Sequence, residues 1–251
     1  MTQHLTIITG ASRGMGLAMA EQLIDAGHDL LCMSRSHSDS LGARATAKGV
    51  RCEQWPQDLA RADVAALRLE SWLAAQDAGT FASVTLINNA ALVTRMAPLS
   101  ETSATELAEG LRVDLEAPLL LTSAFLRATK AWPGQRKVLN ISSGLGRRAM
   151  ASQAAYCAAK AGMDLFTRCV ALEQEKLSNG ARVCSLAPGV IDTDMQVQLR
   201  GADGARFPEH GYFIGLQEKG ALSSPQEAAA RVLAFLARAD FGSKPVADVR
   251  D

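Results

Sequence analysis

Short apolar runs rich in β-branched residues alternate with longer helical stretches along the chain. This alternation is typical of α/β proteins, in which parallel strands are joined by crossover helices. We predict strands at 5–9, 30–34, 50–55, 84–88, 137–142, 182–187 and 246–249. Helices are predicted at 14–26, 62–76, 103–130, 153–176 and 225–238. The pattern therefore favours a doubly wound parallel sheet of about seven strands with helices on both faces.

A single domain over 1–251 is predicted, because no repeat, low-complexity tract or linker rich in Pro, Gly or Ser divides the chain. The only long stretch without a clear pattern is 190–223, which contains Phe207, Tyr212 and Phe213. Long segments without regular structure in compact domains are often functional. We therefore predict that 190–223 forms a substrate-covering loop or lid.

Basic and acidic side chains balance at 26 each, so the formal net charge is zero. Such a chain has no global attraction for nucleic acid or anionic membranes, and we predict neither as a partner. The apolar run near the N-terminus is too short for a signal peptide or a membrane span, which favours a cytoplasmic protein. The five cysteines contain no CxxC pair and the four histidines no HExxH motif. We therefore predict neither a disulfide framework nor a metal site.

A glycine-rich segment, Thr9-Gly10-Ala11-Ser12-Arg13-Gly14-Met15-Gly16, follows the first predicted strand and opens the first predicted helix. Glycines permit a tight turn there and let a pyrophosphate approach the backbone, while the helix N-terminus offers unpaired N–H groups. The spacing is Gly-x-x-x-Gly-x-Gly, whereas the better-known pattern is Gly-x-Gly-x-x-Gly. An ordinary strand-to-helix turn is the alternative. We predict a Rossmann-type dinucleotide loop with contacts from Gly10, Ser12, Arg13, Gly14, Met15 and Gly16.

The end of the second predicted strand indicates which dinucleotide binds. Enzymes that use the unphosphorylated form place an Asp or Glu there, which accepts a hydrogen bond from the ribose 2′-hydroxyl. Here the strand ends in Ser34-Arg35, and Asp29 lies at its opposite end. Arg35 and Arg13 are instead placed to bind a 2′-phosphate through charge-assisted hydrogen bonds. We therefore predict NADP(H) as the cofactor, with two solvated surface arginines as the alternative.

Tyr156 and Lys160 are spaced i and i+4 in a strong helix pattern, which places both side chains on one helical face. A neighbouring ammonium group stabilises a phenolate, so this phenol can protonate a carbonyl that receives hydride. Ser143 follows the fifth predicted strand, where it can polarise the same carbonyl. Ser142 is the neighbouring candidate for that role. These residue types predict a carbonyl-reducing active site.

These motifs occur in order with Asn88-Asn89-Ala90 and Pro188-Gly189, and together they resemble the short-chain dehydrogenase/reductase family over essentially the whole chain. The resemblance implies Tyr156 as general acid and base and Ser143 as donor to the substrate carbonyl. It implies that Lys160 both tunes the tyrosine and binds the nicotinamide ribose. Further implied cofactor contacts are Ser34, Asp58, Leu59, Asn88, Asn89, Ala90, Pro188, Gly189, Val190 and Thr193.

One position departs from the family. The fourth catalytic position, normally Asn, is Asp114 here, within the predicted helix 103–130. In the family the main-chain carbonyl of this residue holds a water that binds the lysine, so an Asp can serve as well. A carboxylate there is expected to raise the pKa of Lys160 and weaken its effect on Tyr156. We predict a shifted pH optimum, with a substitution of no effect as the alternative.

Within the family, Ser142-Ser143-Gly144, the segment 187–195 and the ending 246–251 are similar to the branch of sepiapterin reductase and bacterial benzil reductase. Those enzymes reduce one carbonyl of a vicinal dicarbonyl compound with NADPH. The resemblance implies an NADPH-dependent carbonyl reductase for an aromatic or vicinal diketone, with Asp248 binding the substrate beside Ser143 and Tyr156.

Two other functions stay open at this point. A dehydrogenase or reductase for a 3-oxoacyl thioester or a secondary alcohol is the alternative within the family. A non-catalytic NADP-sensing module is the alternative from another class. Family members commonly pair through the two long helices that flank the fifth strand. Here these are 103–130 and 153–176, which implies a homodimer or homotetramer.

Overall fold

A parallel β-sheet of seven strands runs through the computed structural model, which describes residues 3–251. The strands are β1 Gln3–Thr9, β2 Asp29–Ser34, β3 Cys52–Pro56, β4 Phe81–Asn88, β5 Gln135–Ile141, β6 Arg182–Ala187 and β7 Val246–Asp248. Their order across the sheet is β3-β2-β1-β4-β5-β6-β7, and every neighbouring pair is parallel. The prediction of about seven parallel strands is confirmed.

Nine α-helices connect these strands within residues 3–251. They are α1 Gly14–Asp25, α2 Asp39–Lys48, α3 Ala62–Ala74, α4 Ala104–Leu111, α5 Ala117–Ala128, α6 Ala154–Glu175, α7 Asp194–Arg200, α8 His210–Glu218 and α9 Pro225–Ala237. One face of the sheet is covered by α1, α2 and α9, and the other by α3, α5 and α6. No helix in the described part of the chain is long and apolar enough to cross a membrane.

The core forms two apolar layers, because successive side chains of a strand point to opposite faces of the sheet. Ile8 and Ile87 pack in the layer beneath α1 and α9. Ile7 and Leu86, their neighbours in sequence, pack in the layer beneath α3 and α5. A parallel sheet buried on both faces needs apolar residues at nearly every strand position, which explains why its strands read as continuous apolar runs.

Helix α2 is missing from the prediction. Its ten residues bury only Leu41 and Ala45, which are four positions apart, and the rest of the helix is polar or exposed. So few apolar residues give no recognisable helical period. The helix ends at Gly49, whose φ of +68° is the left-handed conformation that favours glycine at such ends.

The prediction of one helix over 103–130 is confirmed in extent, because 104–128 is helical throughout, but a wide turn of π-helix at Arg112–Glu116 lies within it and separates α4 from α5. Helix α4 starts at a capping box in which Ser103 and Glu106 bind each other's backbone N–H groups. Pro118 lies in the first turn of α5 and has no N–H to donate to the preceding turn. The wide turn therefore coincides with a position where regular helical hydrogen bonding is interrupted. It also contains Asp114.

The segment 190–223 contains regular structure, so the prediction that it forms an irregular stretch is wrong. It contains α7 and α8, and Ile191 pairs with Ser223 in a parallel β-bridge that closes the segment at its base. Leu199, Phe207 and Phe213 are buried in a small apolar cluster of their own. Two short helices with few apolar residues each give a weak period, which the sequence pattern did not separate from a loop. Movement of this segment as a lid stays a prediction.

Candidate active site

A cavity of about 810 Å³ opens at the carboxyl ends of the strands. Its floor is formed by residues that directly follow β1, β2, β4, β5 and β6, which are Gly10, Arg35, Asn89, Ser142 and Pro188. Ligands of open α/β sheets bind at this edge, where the strand order reverses between β1 and β4. The walls bring together the following predicted residues: Gly10, Ser12, Arg13, Gly14, Met15, Gly16, Ser34, Arg35, Asp58, Leu59, Asn89, Ala90, Ser143, Tyr156, Lys160, Pro188, Gly189, Val190, Thr193 and Asp248.

The glycine loop forms a tight turn that leaves no room for a Cβ at Gly16. Gly10 and Gly14 have φ of +71° and +57°, the left-handed conformation. A Cβ on Gly16 would lie 2.1 Å from the Gly10 carbonyl oxygen, so only glycine fits there. Helix α1 begins after Arg13 without a capping side chain or an acidic residue in its first turn. Its free N–H groups and positive dipole end suit the pyrophosphate of a dinucleotide.

Ser34 and Arg35 serve different purposes at the end of β2. The Ser34 hydroxyl accepts a hydrogen bond of 2.8 Å from the Ala11 amide and so holds the glycine loop against β2. Arg35 is exposed at the cavity edge, and Asp58 and Leu59 line the same region after β3. No carboxylate follows β2 at this edge within the described chain. Arg35 thus brings a positive charge to this edge of the cavity, and Asp58 a negative one.

Arg13 forms an ion pair with a residue of α7. Its guanidinium donates to the Asp194 carboxylate at 2.8 Å, and both side chains are 66% exposed. This ion pair joins the glycine loop to the start of α7. Thr193, one residue earlier, also lines the cavity. Because an exposed ion pair is worth at most about 1 kcal/mol, Arg13 can exchange this partner for a ligand anion at small cost.

Asn88 and Asn89 lie at the end of β4 and are both used for internal hydrogen bonds. Asn88 is buried and donates to Asn140 at 2.8 Å and to Thr122 at 3.2 Å. Asn89 donates through its side chain to the Thr9 carbonyl at 2.9 Å. Asn88 therefore ties β4 to β5 beneath the cavity and does not reach the wall, unlike the cofactor contact that the resemblance implied. Asn89 lies on the wall and ties β4 to β1.

Tyr156 and Lys160 project from the first turns of α6 toward Ser143, which lies in the turn after β5. The Lys160 ammonium nitrogen lies 5.5 Å from the centre of the Tyr156 ring and donates to the Ile141 carbonyl at 2.9 Å. Lys160 is 1% exposed, and Tyr156 is also buried. The Ser143 oxygen accepts from the Leu145 amide at 3.2 Å. Phenol, hydroxyl and ammonium thus share one wall of the cavity.

Burial dominates the ionisation of this group. It raises the pKa of the Tyr156 phenol, the Asp114 carboxylate raises it further, and a hydrogen bond with Ser143 opposes both effects. Burial lowers the pKa of Lys160, and the carboxylates of Asp114 and Asp164 oppose it. The expected influence of Asp114 on Lys160 is therefore present in direction, but desolvation outweighs it in the protein without ligand.

Asp114 lies in the wide turn at 112–116, behind the cavity wall rather than on it. It is 1% exposed, and one carboxylate oxygen accepts from the Leu92 amide at 2.7 Å. The other oxygen has no hydrogen-bond partner among residues 3–251. Burial raises the pKa of Asp114 to about 6, although Lys160 and the Leu92 amide act in the opposite direction. A pKa of about 6 brings the ionisation of this carboxyl group, which lies close to Lys160, into the range of physiological pH.

Asp248 lies at the end of β7 and lines the cavity with its neighbour Arg250. The Arg250 guanidinium donates to both Asp248 oxygens, at 2.6 and 2.7 Å, and lowers the pKa of the carboxyl. Asp248 was predicted from the sequence as a site residue, whereas Arg250 was not. Arg250 could have been found because it lies two residues after Asp248, at the end of a predicted strand. Together they give this end of the cavity a dipolar pair that can both donate and accept hydrogen bonds.

The remaining wall is mostly apolar. It is formed by Val93, Leu145, Met150, Met195, Leu199 and Phe213, all members of the cluster that packs around α7 and α8. Two buried amides, Gln153 and Gln196, also line the cavity and were missed by sequence reasoning. The Gln196 side-chain oxygen has no partner in the described chain. Both glutamines lie three positions from a named site residue, Tyr156 or Thr193, and that helical spacing could have identified them.

Histidine, cysteine and carboxylate side chains form no group of three that could hold a metal ion within residues 3–251.

Comparison with known proteins places this geometry in context. A family model described as short chain dehydrogenase matches residues 4–204. The benzil reductase ((S)-benzoin forming) of Bacillus subtilis (strain 168) is 35% identical over 233 residues, which are 93% of each protein. The sepiapterin reductase of Xenopus tropicalis is 30% identical over 245 residues, 92% of this chain and 90% of that protein.

A solved structure shows the same fold with a cofactor bound. It is a metagenomic short-chain oxidoreductase in complex with NADP, which is 26% identical to this chain. The superposition covers 98% of this chain and 94% of that chain, with a TM-score of 0.72. The fold is therefore shared with a protein that holds NADP.

Proposed function

This chain belongs to the short-chain dehydrogenase/reductase family, and from that premise we propose that it is an NADPH-dependent carbonyl reductase. We propose one carbonyl of an aromatic or vicinal diketone as its substrate. The observation that carries the proposal is the shared wall of Ser143, Tyr156 and Lys160 in a cavity that also contains the uncapped start of α1. The three side chains suit protonation of a carbonyl, and the free N–H groups at the start of α1 suit a dinucleotide.

The residues present fit NADP(H). The tight glycine turn and the free N–H groups of α1 suit the pyrophosphate, and Arg35 with Arg13 suits the 2′-phosphate. Thr193 and Pro188-Gly189 line the far side of the same cavity, where the nicotinamide end would lie. When bound, the reduced nicotinamide supplies a hydride to the substrate carbon. The NADP-bound relative supports this assignment of the cofactor.

The residues of the chain supply the proton and the positioning. Ser143 donates a hydrogen bond to the substrate carbonyl oxygen and polarises it. As the carbonyl carbon is reduced, the Tyr156 phenol transfers its proton to the same oxygen, which yields an alcohol and a phenolate. The Lys160 ammonium group stabilises that phenolate from the neighbouring helical turn. Burial makes this stabilisation stronger, because water does not screen the two charges.

The shape and chemistry of the wall support an aromatic dicarbonyl substrate. The apolar side chains around Leu199 and Phe213 suit a flat, conjugated ring. Asp248 and Arg250 form a polar pair at the C-terminal strand, suited to a second oxygen or ring heteroatoms. The relatives named benzil reductase and sepiapterin reductase support the same substrate class.

We also propose that the chain forms a homodimer or homotetramer through α5 and α6. Leu119 on α5 is 43% exposed, and Leu165 and Leu172 on α6 are each 64% exposed. Large aliphatic side chains in such a row are typical of surfaces that pair with a second subunit.

The proposal is tested by mixing purified protein with NADPH or NADH and one of three substrates. These are benzil, sepiapterin and an acetoacetyl thioester, and oxidation of the cofactor is followed by absorbance. We expect the highest kcat/KM with NADPH and a vicinal diketone, and loss of that activity in Tyr156→Phe. Faster turnover of the thioester would favour the alternative substrate class. Tight NADPH binding without turnover of any substrate would favour the sensing module.

A further inference from the structure

A second buried carboxylate lies on α6, one helical turn beyond Lys160. Asp164 is 6% exposed and was not among the predicted site residues. One of its oxygens accepts hydrogen bonds from the hydroxyls of Ser142 and Ser185, each at 2.6 Å. The other accepts from the Arg147 guanidinium at 3.0 Å. Three donors from three different segments therefore converge on one carboxylate.

Two of these donors flank Ser143 in the chain. Ser142 precedes it at the end of β5, and Arg147 follows the short helical turn Gly144–Gly146. The turn also packs directly on α6, because a Cβ on Gly146 would lie 2.9 Å from the Lys160 carbonyl oxygen. Both ends of the turn that carries Ser143 are thus tied to the helix that carries Tyr156 and Lys160.

Arg147 extends this connection to β7. Its guanidinium donates through a second nitrogen to the Ala247 carbonyl at 3.0 Å. Ala247 directly precedes Asp248, which lines the substrate end of the cavity. A guanidinium can make both bonds at once because its donors are fixed in one plane. The ion pair also neutralises a carboxylate that would otherwise be buried without a counter-charge.

We propose that Asp164 is a positioning residue, which holds Ser143 in register with Tyr156 and Lys160 and, through Arg147, holds the strand that carries Asp248. This inference rests on the proposed carbonyl reductase function. A hydroxyl that polarises a carbonyl must lie within hydrogen-bond distance of the oxygen that receives the proton. A displacement of 1 Å at such a group costs on the order of 100-fold in rate. Asp164 acts on the reaction only through the residues it holds.

Ser142→Ala and Ser185→Ala form a matched pair of variants. Each removes one hydrogen bond to the same oxygen of Asp164, at the same distance, but only Ser142 is joined to the Ser143 turn. We expect kcat to fall at least ~10-fold in Ser142→Ala and to fall far less in Ser185→Ala. Equal losses of kcat in the two variants, or none in Ser142→Ala, would overturn the proposal.

A readout without catalysis separates this inference from the proposed function. Amide hydrogen exchange of residues 143–147 is measured in the free protein and in both variants. We expect faster exchange of the turn in Ser142→Ala than in Ser185→Ala, whichever substrate the enzyme uses. Exchange at the same rate in both variants would show that Asp164 does not hold the turn.

Asp164→Asn tests the connection from Asp164 through Arg147 to β7. An asparagine can still accept from both serines, but its amide nitrogen cannot accept from the guanidinium. We expect the KM for the substrate to rise together with the fall in kcat, because the strand carrying Asp248 loses its tether. A fall in kcat alone would limit the role of Asp164 to the Ser143 turn and remove β7 from the proposal.

Discussion

The guanidinium of Arg13 lies 2.8 Å from the carboxylate of Asp194, so that an ion pair joins the glycine loop to α7 at the rim of the cavity. The pair engages an arginine that the sequence assigns to the 2′-phosphate of NADP(H). Asp194 therefore competes with the proposed 2′-phosphate for the Arg13 guanidinium.

Replacing Asp194 with asparagine should tighten NADPH binding. The variant removes the competing partner of Arg13, so we expect the dissociation constant of NADPH to fall by ~2- to 5-fold at low salt. NADH lacks the 2′-phosphate, and its dissociation constant should stay unchanged. Fluorescence titration with each dinucleotide measures both. Equal tightening for NADH and NADPH would contradict the competition.

Replacing Arg35 with aspartate should reverse the preference for the cofactor. The change removes one charge-assisted hydrogen bond to the phosphate and adds a carboxylate that can accept from a free ribose. We expect kcat/KM for NADPH to fall by ~10- to 100-fold, while that for NADH stays equal or rises. Lys130→Asp is the control, since Lys130 is exposed at the opposite edge of the sheet and its variant carries the same change of charge. A similar loss with Lys130→Asp would show a general effect of charge.

Replacing Asp114 with asparagine should move the alkaline limb of the pH–rate profile for reduction to lower pH. The carboxylate raises the pKa of both Tyr156 and Lys160, and reduction needs both groups protonated. Without it, both lose their protons at lower pH than in the parent enzyme. Glu116→Gln, an exposed change in the same turn, is the control. Identical profiles for Asp114→Asn and the parent would show that the substitution has no effect on catalysis.

The stability of the protein should fall as the pH is lowered, in part because of His28. Burial lowers its pKa from 6.5 to about 4, with a further contribution from His4, whose ring stacks on it at 5.0 Å, while Asp29 opposes. Because the unfolded state binds the proton more readily, stability is full above pH 6.5 and is lost progressively as the pH falls from 6.5 to about 4. The ring is partly exposed, and solvent screening reduces the expected loss to ~1 to 2 kcal/mol in the free energy of unfolding.

Denaturant unfolding at pH 7.5 and pH 4.5 measures the effect of His28. We expect the loss of stability between these two pH values to be smaller in His28→Gln than in the parent protein. His37→Gln serves as the control, because His37 is exposed. A parent-like pH dependence in His28→Gln would assign the acid sensitivity to other groups.

The sequence predicted the parts of the fold and site that depend on local patterns. Mostly apolar runs gave the five inner strands, because a sheet buried on both faces needs them. The edge strands β3 and β7 are more polar and gave weaker patterns. The glycine loop, Tyr156 and Lys160 were found for a similar reason, since a turn or one helical face fixes their geometry within a few residues. The structure places them together on the cavity walls.

The remaining features depend on contacts between distant segments. Asp164 is an ordinary helix residue in the sequence, and only the fold brings Ser142, Ser185 and Arg147 to it. The family resemblance implied a cofactor contact for Asn88. Its side chain instead lies between the sheet and α5, where it donates to Asn140 and Thr122. No local pattern shows toward which segment a polar side chain at a strand end points.

The wide turn at 112–116 changes which face of the continuous helix formed by α4 and α5 points toward the rest of the protein. Upstream, α4 lies against α6, while downstream α5 directs Leu121 and Phe125 into the sheet. A regular helix of this length, with about 3.6 residues per turn, would keep one face toward one neighbour. The extra residue in the turn lets α4 present one face to α6 and lets α5 present another face to the sheet. Asp114 lies in the turn between the two helices, and its carboxylate is therefore able to point inward toward Lys160.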